Sequence, residues 1–537
     1  GDMFEFNTRV ALEMKRRKDR KESEKKKKAR KRVRRASAGS EGSGSDDDDD
    51  GGSDPDWDAA GEEDLDTLGE MDGDLVGSGD SDEEDEEDAV FDGGYKCPGY
   101  VYRKLFGYQQ TAVKWLWELH CQEAGGIVGD EMGLGKTIEI VAFLAGLHYS
   151  NKLGPCLLLC PATIMSQWVR EFHVWYPPIR AVLMHSSGTN SKKPQALVND
   201  VIANGGVIIT TYEQTRIHAT LLSKPKWSYV VLDEGHKIRN PDADITLAVK
   251  SLRTPHRILL SGSPIQNRLV ELWSLFDFVF PGRLGTLPVF ESEFSAPISV
   301  GGYANATPMQ VQAAYKCALV LRDLIDPYLL RRLKEHVDLK LPDKTEQVLF
   351  CKLTDEQRRL YERTLGSKEV RLAMEGRTNI FAAITTLRKI CSHPDLLHHK
   401  LAEKPKDYGA PHKCCKMQVL MKLLPAWEAG GHRVLLFSQT VQMLDVLERF
   451  LVQQKHTYRR LDGTNNIKSR IALIDEFNNN DEIFCFLLTT RVGGLGVNLT
   501  GADRVVLYDP DWNPSTDLQA RERAWRVGQR REVIVYR

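Results

Sequence analysis

Eight consecutive residues, Asp130-Glu131-Met132-Gly133-Leu134-Gly135-Lys136-Thr137, put a Gly-rich turn, a lysine and a hydroxyl where a nucleoside triphosphate needs them. The stretch leaves an apolar run at 124–128 and enters a helix-period segment at 137–147, the strand-loop-helix context of a phosphate-binding loop. Backbone N–H groups of such a turn, with the helix N-terminus behind them, form a preorganised anion site. Lys136 would reach the β- and γ-phosphates of ATP, and the Thr137 hydroxyl would hold Mg²⁺. The usual pattern has a glycine five places before Gly135; here Asp130 stands there, and Gly129 falls one residue early.

A second candidate lies about a hundred residues on. Tyr229-Val230-Val231-Leu232 reads as a short buried strand that ends in Asp233 and Glu234. Asp233 would complete the Mg²⁺ shell, and Glu234 would polarise the water that attacks the γ-phosphorus. An isolated Asp-Glu pair is more often the start of a loop. Downstream of a phosphate loop, the pair gains a chemical role.

These groups need strands and helices to hold them. From residue 105 onward, short apolar runs alternate with helix-period segments, the mark of an α/β fold with a mostly parallel sheet. Strands are expected at 156–160, 207–211, 229–232 and 258–260 in one half, and at 434–437, 484–488 and 505–508 in the other. The motifs sit at the C-terminal ends of such strands, where open α/β sheets place their ligands. Residues 268–425 carry long helix-like stretches, notably 309–330 and 355–372, approached through Pro281, Gly282, Gly285, Pro288, Gly301, Gly302 and Pro308. No fixed-period repeat is present, which argues against a solenoid.

The chain has 537 residues, enough for three or four units at about 150 residues each, and a formal charge of −2. That balance conceals a segregation. Residues 1–35 hold 16 Lys/Arg against 6 Asp/Glu, and residues 36–92 hold 25 Asp/Glu and no Lys/Arg. Residues 93–537 are therefore cationic, with 57 basic against 44 acidic side chains. The acidic stretch is poor in apolar residues and is expected to stay disordered. The basic run at 25–35 fits a nuclear-import signal first, and also a nucleic-acid arm or one face of a solvated helix beginning near Asn7. The carboxylates could fold back on the cationic body and compete with DNA, or serve as a solvating or histone-binding tail. Membrane spanning and secretion are not expected, since no run of 18 apolar residues occurs and the first thirty residues are highly charged. Ten cysteines without a CxxC pair suit a reducing compartment. His398, His399, His412, Cys414 and Cys415 match no usual zinc spacing and read as a polar surface loop.

Taken in order, the motifs resemble those of the superfamily-two helicase-like ATPases, and within them the Swi/Snf-related double-stranded DNA translocases. The resemblance covers residues 100–537. It rests on Tyr108-Gln109, the phosphate loop, Cys160-Pro161-Ala162-Thr163 with Trp168, Thr210-Thr211-Tyr212, Asp233-Glu234-Gly235-His236 and Ser261-Gly262-Ser263-Pro264-Ile265-Gln266-Asn267. In the second half it rests on Leu387-Arg388-Lys389-Ile390, Phe437-Ser438-Gln439, Asp462-Gly463-Thr464, Thr489-Thr490-Arg491 with Gly496 and Asn498, Asp511-Trp512-Asn513-Pro514, and the run from Gln519 to Gln529. In this family the first loop residue is commonly Asp, so Asp130 becomes an expected feature. The segments Phe280-Pro281-Gly282-Arg283-Leu284-Gly285, Gly301-Gly302-Tyr303 and Trp115-Leu116-Trp117, together with Trp525 in place of a more usual His, are similar to the Cockayne syndrome group B subfamily of transcription-coupled repair ATPases.

The resemblance implies two RecA-like lobes with parallel sheets and helical insertions, preceded by a disordered charged N-terminal tail. The expected organisation is a basic arm at 1–35, an acidic linker at 36–95, ATP-binding lobe one with a helical insertion at 96–345, and helices plus lobe two at 346–537. Elements that brace lobe two in relatives would follow Arg537. Gln109 would read the adenine edge, Gly496 would join the ATP site, and Arg523 and Arg526, three apart on one helical face, would act as arginine fingers. DNA phosphates would be held by Thr163, Thr211, Arg388, Lys389, Thr464, Thr489, Thr490, Arg491, Asn498 and Trp512, without base readout. Ser261 and Ser263 would link the ATP loop to that groove. The implied activity is ATP-driven translocation on duplex DNA by a monomeric motor in the nucleus, with RNA polymerase II and nucleosomes as partners. A strand-separating helicase on RNA or DNA, another chromatin remodeller, and a binding scaffold without turnover are the alternatives.

Overall fold

The structure is a computed structural model that describes residues 87–537 apart from 186–192, 263–267, 338–340, 376, 378, 400–404, 406, 466 and 491–497. The basic arm and nearly all of the acidic linker lie outside the described residues, as do Ser263, Arg491 and Gly496. Residues 88–537 form one unit.

Two large sheets organise this unit, and every pairing within them is parallel. The first contains β3 (Gly126–Val128), β4 (Cys156–Leu159), β5 (Ala181–Met184), β6 (Val207–Thr210), β7 (Tyr229–Leu232), β8 (His256–Leu260) and β9 (Leu329–Leu330), in the order β5-β6-β4-β7-β8-β3-β9. The second contains β10 (Lys344–Gln347), β11 (Val434–Ser438), β12 (Tyr458–Leu461), β13 (Cys485–Thr489), β14 (Arg504–Leu507) and β15 (Val533–Tyr536), in the order β10-β15-β14-β11-β13-β12. Both are therefore doubly wound α/β sheets.

The apolar runs are continuous because each strand is covered on both faces. In β4, Cys156 and Leu158 join one core while Leu157 and Leu159 join the other. In β11, Val434 and Leu436 face one core and Leu435 and Phe437 the opposite one. Each such side chain, fully buried, stabilises the fold by roughly 1.5–3 kcal/mol, which is why these strands tolerate no polar alternation.

Several expectations need correction. The linker does not extend to 95: β1 (Ala89–Phe91) and β2 (Tyr95–Cys97) form an antiparallel hairpin. Tyr95 anchors it, stacked 4.8 Å from Trp117 and donating to the Phe143 carbonyl at 3.1 Å, so apolar surface supplied by later helices orders it. The boundary at 345/346 cuts through β10, which pairs only with β15 and so belongs to the second sheet. Residues 309–330 are not one helix. It spans Pro308–Ile325 under a Thr307 cap, a 3₁₀ turn follows at Asp326–Tyr328 around Pro327, and Leu329–Leu330 becomes β9. Likewise 355–372 divides into Asp355–Leu365 and Lys368–Met374, because Gly366 ends the first helix and the Ser367 side chain caps the second.

No described helix is long and apolar enough to cross a membrane. All ten cysteines are free thiols. Cys414 and Cys415 are not on a polar surface loop: both are buried, and Cys415 opens the helix Cys415–Ala429.

Candidate active site

The phosphate loop leaves β3 and enters the helix Lys136–Tyr149 through two left-handed glycines, Gly133 at φ 90° and Gly135 at φ 87°. Any other residue would be strained there. The helix is buried on nearly every side, which its apolar sequence permits. Lys136 is half-buried and donates to the Asp130 and Glu131 carbonyls at 2.7 and 3.2 Å. Burial lowers its pKa, against the pull of Glu234, Asp130 and Asp233.

Asp233 and Glu234 follow the end of β7. The Trp168 indole donates to the Asp233 carboxylate at 2.9 Å, and the Glu234 backbone N–H donates to its other oxygen at 2.9 Å. Burial, then the neighbouring Glu234 charge, raises Asp233 to about 6. Burial works the same way on Glu234, but His236 at 3.3 Å, Arg523 and Lys136 outweigh it and bring that carboxyl down to about 2. Glu234 also sits at φ 52°, a backbone region that costs a non-glycine residue of order 1 kcal/mol and recurs at functional sites.

These groups share one cleft of about 200 Å³ with residues far along the chain. Met132, Gly133, Gly135, Lys136, Thr137, Asp233 and Glu234 line one side; Asn498, Arg523 and Arg526 line the other. Arg523 is buried and Arg526 is half-buried. Burial, then mutual repulsion with Arg523, lowers Arg526 to about 9, so an anion entering this cleft would relieve crowded positive charge.

Other expected ATP residues serve the loop rather than the cleft. Gln109 accepts from the Phe106 N–H at 3.0 Å and donates to the Leu134 carbonyl at 3.0 Å, and the Tyr108 hydroxyl donates to that carbonyl at 2.8 Å. The Asp130 carboxylate, fully buried, is gripped by Arg332, whose backbone N–H reaches it at 2.9 Å and whose guanidinium also pairs with Glu139 at 2.7 Å. Glu131 accepts from the Lys334 backbone N–H at 2.7 Å.

The expected DNA residues that are described stand in different surroundings. Asn498 belongs to the nucleotide cleft. Thr211 is buried and spends its hydroxyl capping the helix Tyr212–Ile217. Thr489 and Thr490 are buried at the end of β13, and Ser261 is buried after β8. Thr464 is exposed but donates to Asp462 at 2.6 Å. Thr163 lies in the 3₁₀ turn Ala162–Ile164, and Arg388 and Lys389 lie near the end of the helix Ile380–Ser392, where Arg388 bonds Gln439. Trp512 is 82% exposed.

Sequence reading assigned no role to Gln167 and Glu171, which also line the cleft, or to Trp168 as the clamp on Asp233. In sequence, Met165, Trp168 and Phe172 form a helical apolar stripe, so the indole reads as core and its N–H goes unnoticed.

Comparison with known proteins decides the family. The model of the SNF2-related domain matches residues 108–396, more than half of the chain, and that of the helicase conserved C-terminal domain matches residues 415–528. The chain belongs to the SNF2-related family. Among its SNF2-related relatives, the human DNA excision repair protein ERCC-6 is 58% identical over 478 residues, covering 85% of this chain and 32% of that protein. Protein CHROMATIN REMODELING 8 of Arabidopsis thaliana is 53% identical over 489 residues, covering 85% of this chain and 41% of the relative. The DNA repair and recombination protein RAD26 of Saccharomyces cerevisiae is 52% identical over 499 residues, covering 84% and 46%. This SNF2-related chain thus spans between a third and a half of the length of the relatives it matches. Its two matched regions carry the two sides of the cleft: Lys136, Asp233 and Glu234 fall in the first, Arg523 and Arg526 in the second.

Proposed function

We propose that this chain is a DNA-dependent ATPase that translocates on double-stranded DNA without separating the strands, and that it acts in the nucleus in transcription-coupled excision repair and chromatin remodelling. The observation that carries the reading is the shared cleft, lined by Lys136, Asp233 and Glu234 after strands of the first sheet and by Arg523 and Arg526 from the segment between β14 and β15 of the second. Hydrolysis that draws groups from both sheets couples turnover to their closure, which is what a motor requires. The repair and chromatin-remodelling names of its relatives support the setting; RNA polymerase II and nucleosomes as partners rest on the subfamily resemblance.

In this reading Lys136 binds the β- and γ-phosphates, Glu234 orients the attacking water, and Arg523 and Arg526 stabilise charge on the transferring phosphoryl group. Arginine fingers contribute ~10³ or more in rate. Two half-buried adjacent carboxylate side chains, one of them raised to about 6, are a donor set that a divalent cation suits. Asp233 and Thr137 would hold Mg²⁺, which supplies neutralisation of the triphosphate oxygens when bound. DNA binding is expected to be sequence-independent and salt-sensitive, through phosphate contacts on the cationic body.

The test compares three substrates. Duplex DNA should stimulate ATP hydrolysis and support displacement of a triplex-forming strand, while a forked duplex should stay paired. Unwinding of the fork would replace the translocase reading with that of a helicase. Lys136→Ala and Glu234→Gln should each abolish turnover; wild-type rates in either would remove the active-site assignment.

A further inference from the structure

The connection between the two sheets does more than join them. After β9 it runs alongside the phosphate loop: the Gly129 N–H donates to the Leu330 carbonyl at 2.6 Å, the Glu131 N–H to the Arg332 carbonyl at 2.9 Å, and the Lys334 N–H to the Glu131 carboxylate at 2.7 Å. Lys334 then turns its side chain the other way. Its ammonium, 1% exposed, donates to the Glu522 carboxylate at 2.5 Å and to the Trp525 carbonyl at 2.6 Å, and lies 4.3 Å from the Trp525 ring centroid.

Glu522 and Trp525 are the residues immediately before Arg523 and Arg526. The other Glu522 oxygen is taken by Lys344, at 2.8 Å, from β10 at the edge of the second sheet, and the Trp525 indole donates to the Pro342 carbonyl at 2.8 Å. A Cβ placed on Gly133 would meet Arg526 Cγ at 2.9 Å and the Lys334 ammonium at 3.3 Å. The phosphate loop, Lys334 and the finger segment are therefore in direct packing contact, with no room between them for a side chain.

We infer that Lys334 is a positioning residue that ties the finger segment to the phosphate loop, holding Arg523 and Arg526 at the cleft through Glu522 and the Trp525 carbonyl. This deepens the ATPase reading and rests on it. The physical basis is the cost of the alternative. A buried ammonium stripped of its carboxylate partner is strongly unfavourable, so the pair stays closed and carries displacement of the loop to the arginines. Lys334 itself does not line the cleft, which separates it from the residues that would touch nucleotide.

The experiment is a mutant cycle on the chain as it stands. Lys334→Met keeps the length of the stem and removes the charge. It should lower duplex-stimulated kcat about 30-fold or more while changing KM for ATP less than about threefold, because the phosphate-binding groups are untouched. In an Arg523→Ala, Arg526→Ala background the same change should cost less than about twofold, since the fingers it positions are already lost. Amide exchange of residues 518–529 should quicken in Lys334→Met, a readout independent of turnover. Glu522→Gln, isosteric with the native residue, should reproduce all three effects and serves if Lys334→Met does not fold. Wild-type kcat, a full additional loss in the Arg523→Ala, Arg526→Ala background, or unchanged exchange would each overturn the inference. Absence of ATP hydrolysis by the unmodified chain would instead remove the ATPase reading and leave the exchange result standing.

Discussion

The indole N–H of Trp168 donates to the carboxylate of Asp233 at 2.9 Å, joining the helix Met165–Trp175 to the end of β7. Because Asp233 is half-buried and already raised by its surroundings, this bond both orients it and favours its charged form.

Trp168→Phe keeps the packing and removes only that donor. A hydrogen bond to a charged group contributes about 1.5–3 kcal/mol, so ATP turnover should fall roughly tenfold to a hundredfold at one magnesium concentration. Steady-state kinetics over a magnesium series will check this, and part of the loss should be recovered at high magnesium. An unchanged magnesium dependence would leave Trp168 as core alone.

The Asp130 position that departs from the usual glycine is tested through Arg332. Asp130→Ala leaves a guanidinium at the back of the loop with only Glu139 to balance it. Breaking a buried pair by removing one partner costs about 3–5 kcal/mol. Thermal unfolding should show a clearly lower midpoint for Asp130→Ala. Asp130→Asn, which can still accept from the Arg332 backbone N–H, should lose less.

Gly135→Ala is expected to act twice. Its φ of 87° disfavours any Cβ, and the added carbon would stand 2.5 Å from Gln109 Nε2. The Gln109 amide must then leave the Leu134 carbonyl, and binding of a fluorescent ATP analogue should weaken by at least tenfold. In a Gln109→Ala background only the backbone strain remains, so the further loss should be smaller.

Acid stability should report a stack behind the first sheet. His256 is buried 4.4 Å from the His120 ring and 4.8 Å from Tyr229, and its Nδ1 has no hydrogen-bond partner among the described residues. Burial, then the His120 charge, depresses its pKa to about 4. The unfolded chain therefore binds more protons between the unfolded value near 6.5 and the folded value near 4. Stability should be fully present above pH 6.5 and be lost as pH falls through 4, with a contribution of about 3 kcal/mol from this group. His256→Phe should flatten that part of the unfolding profile measured by denaturant titration at pH 4–7.

The chemistry was legible in sequence where it depended on short spacing. The phosphate loop, the Asp233-Glu234 pair and the strands β4, β6, β7, β11, β13 and β14 all follow from local residue type and apolar runs. β12 was missed because it carries charge, as in Tyr458-Arg459-Arg460-Leu461, whereas β5 is the short apolar run Ala181-Val182-Leu183-Met184 and was passed over. β15 carries a local strand signal in Val533-Ile534-Val535-Tyr536 and was passed over, whereas β9 and β10 were missed because each becomes a strand only beside a distant partner, with Leu329 opposite Ile127 and Lys344 opposite Val533. The hairpin at Tyr95 was hidden in acidic sequence for the same reason: its stabilising surface is supplied by Trp117 and Phe143.

The sequence by itself determined the identities of the reactive groups, because a loop, a lysine and a carboxylate pair need only a few consecutive residues to be recognised. Tertiary structure alone decided which groups meet. It turned Asp130 inward to Arg332, set Trp168 on Asp233, moved Asn498 into the cleft, and brought Lys334 between Glu131 and Glu522. Those contacts span up to some two hundred residues of chain, and no local pattern encodes them. They exist because two sheets bury their faces and leave their C-terminal edges to share a single cleft.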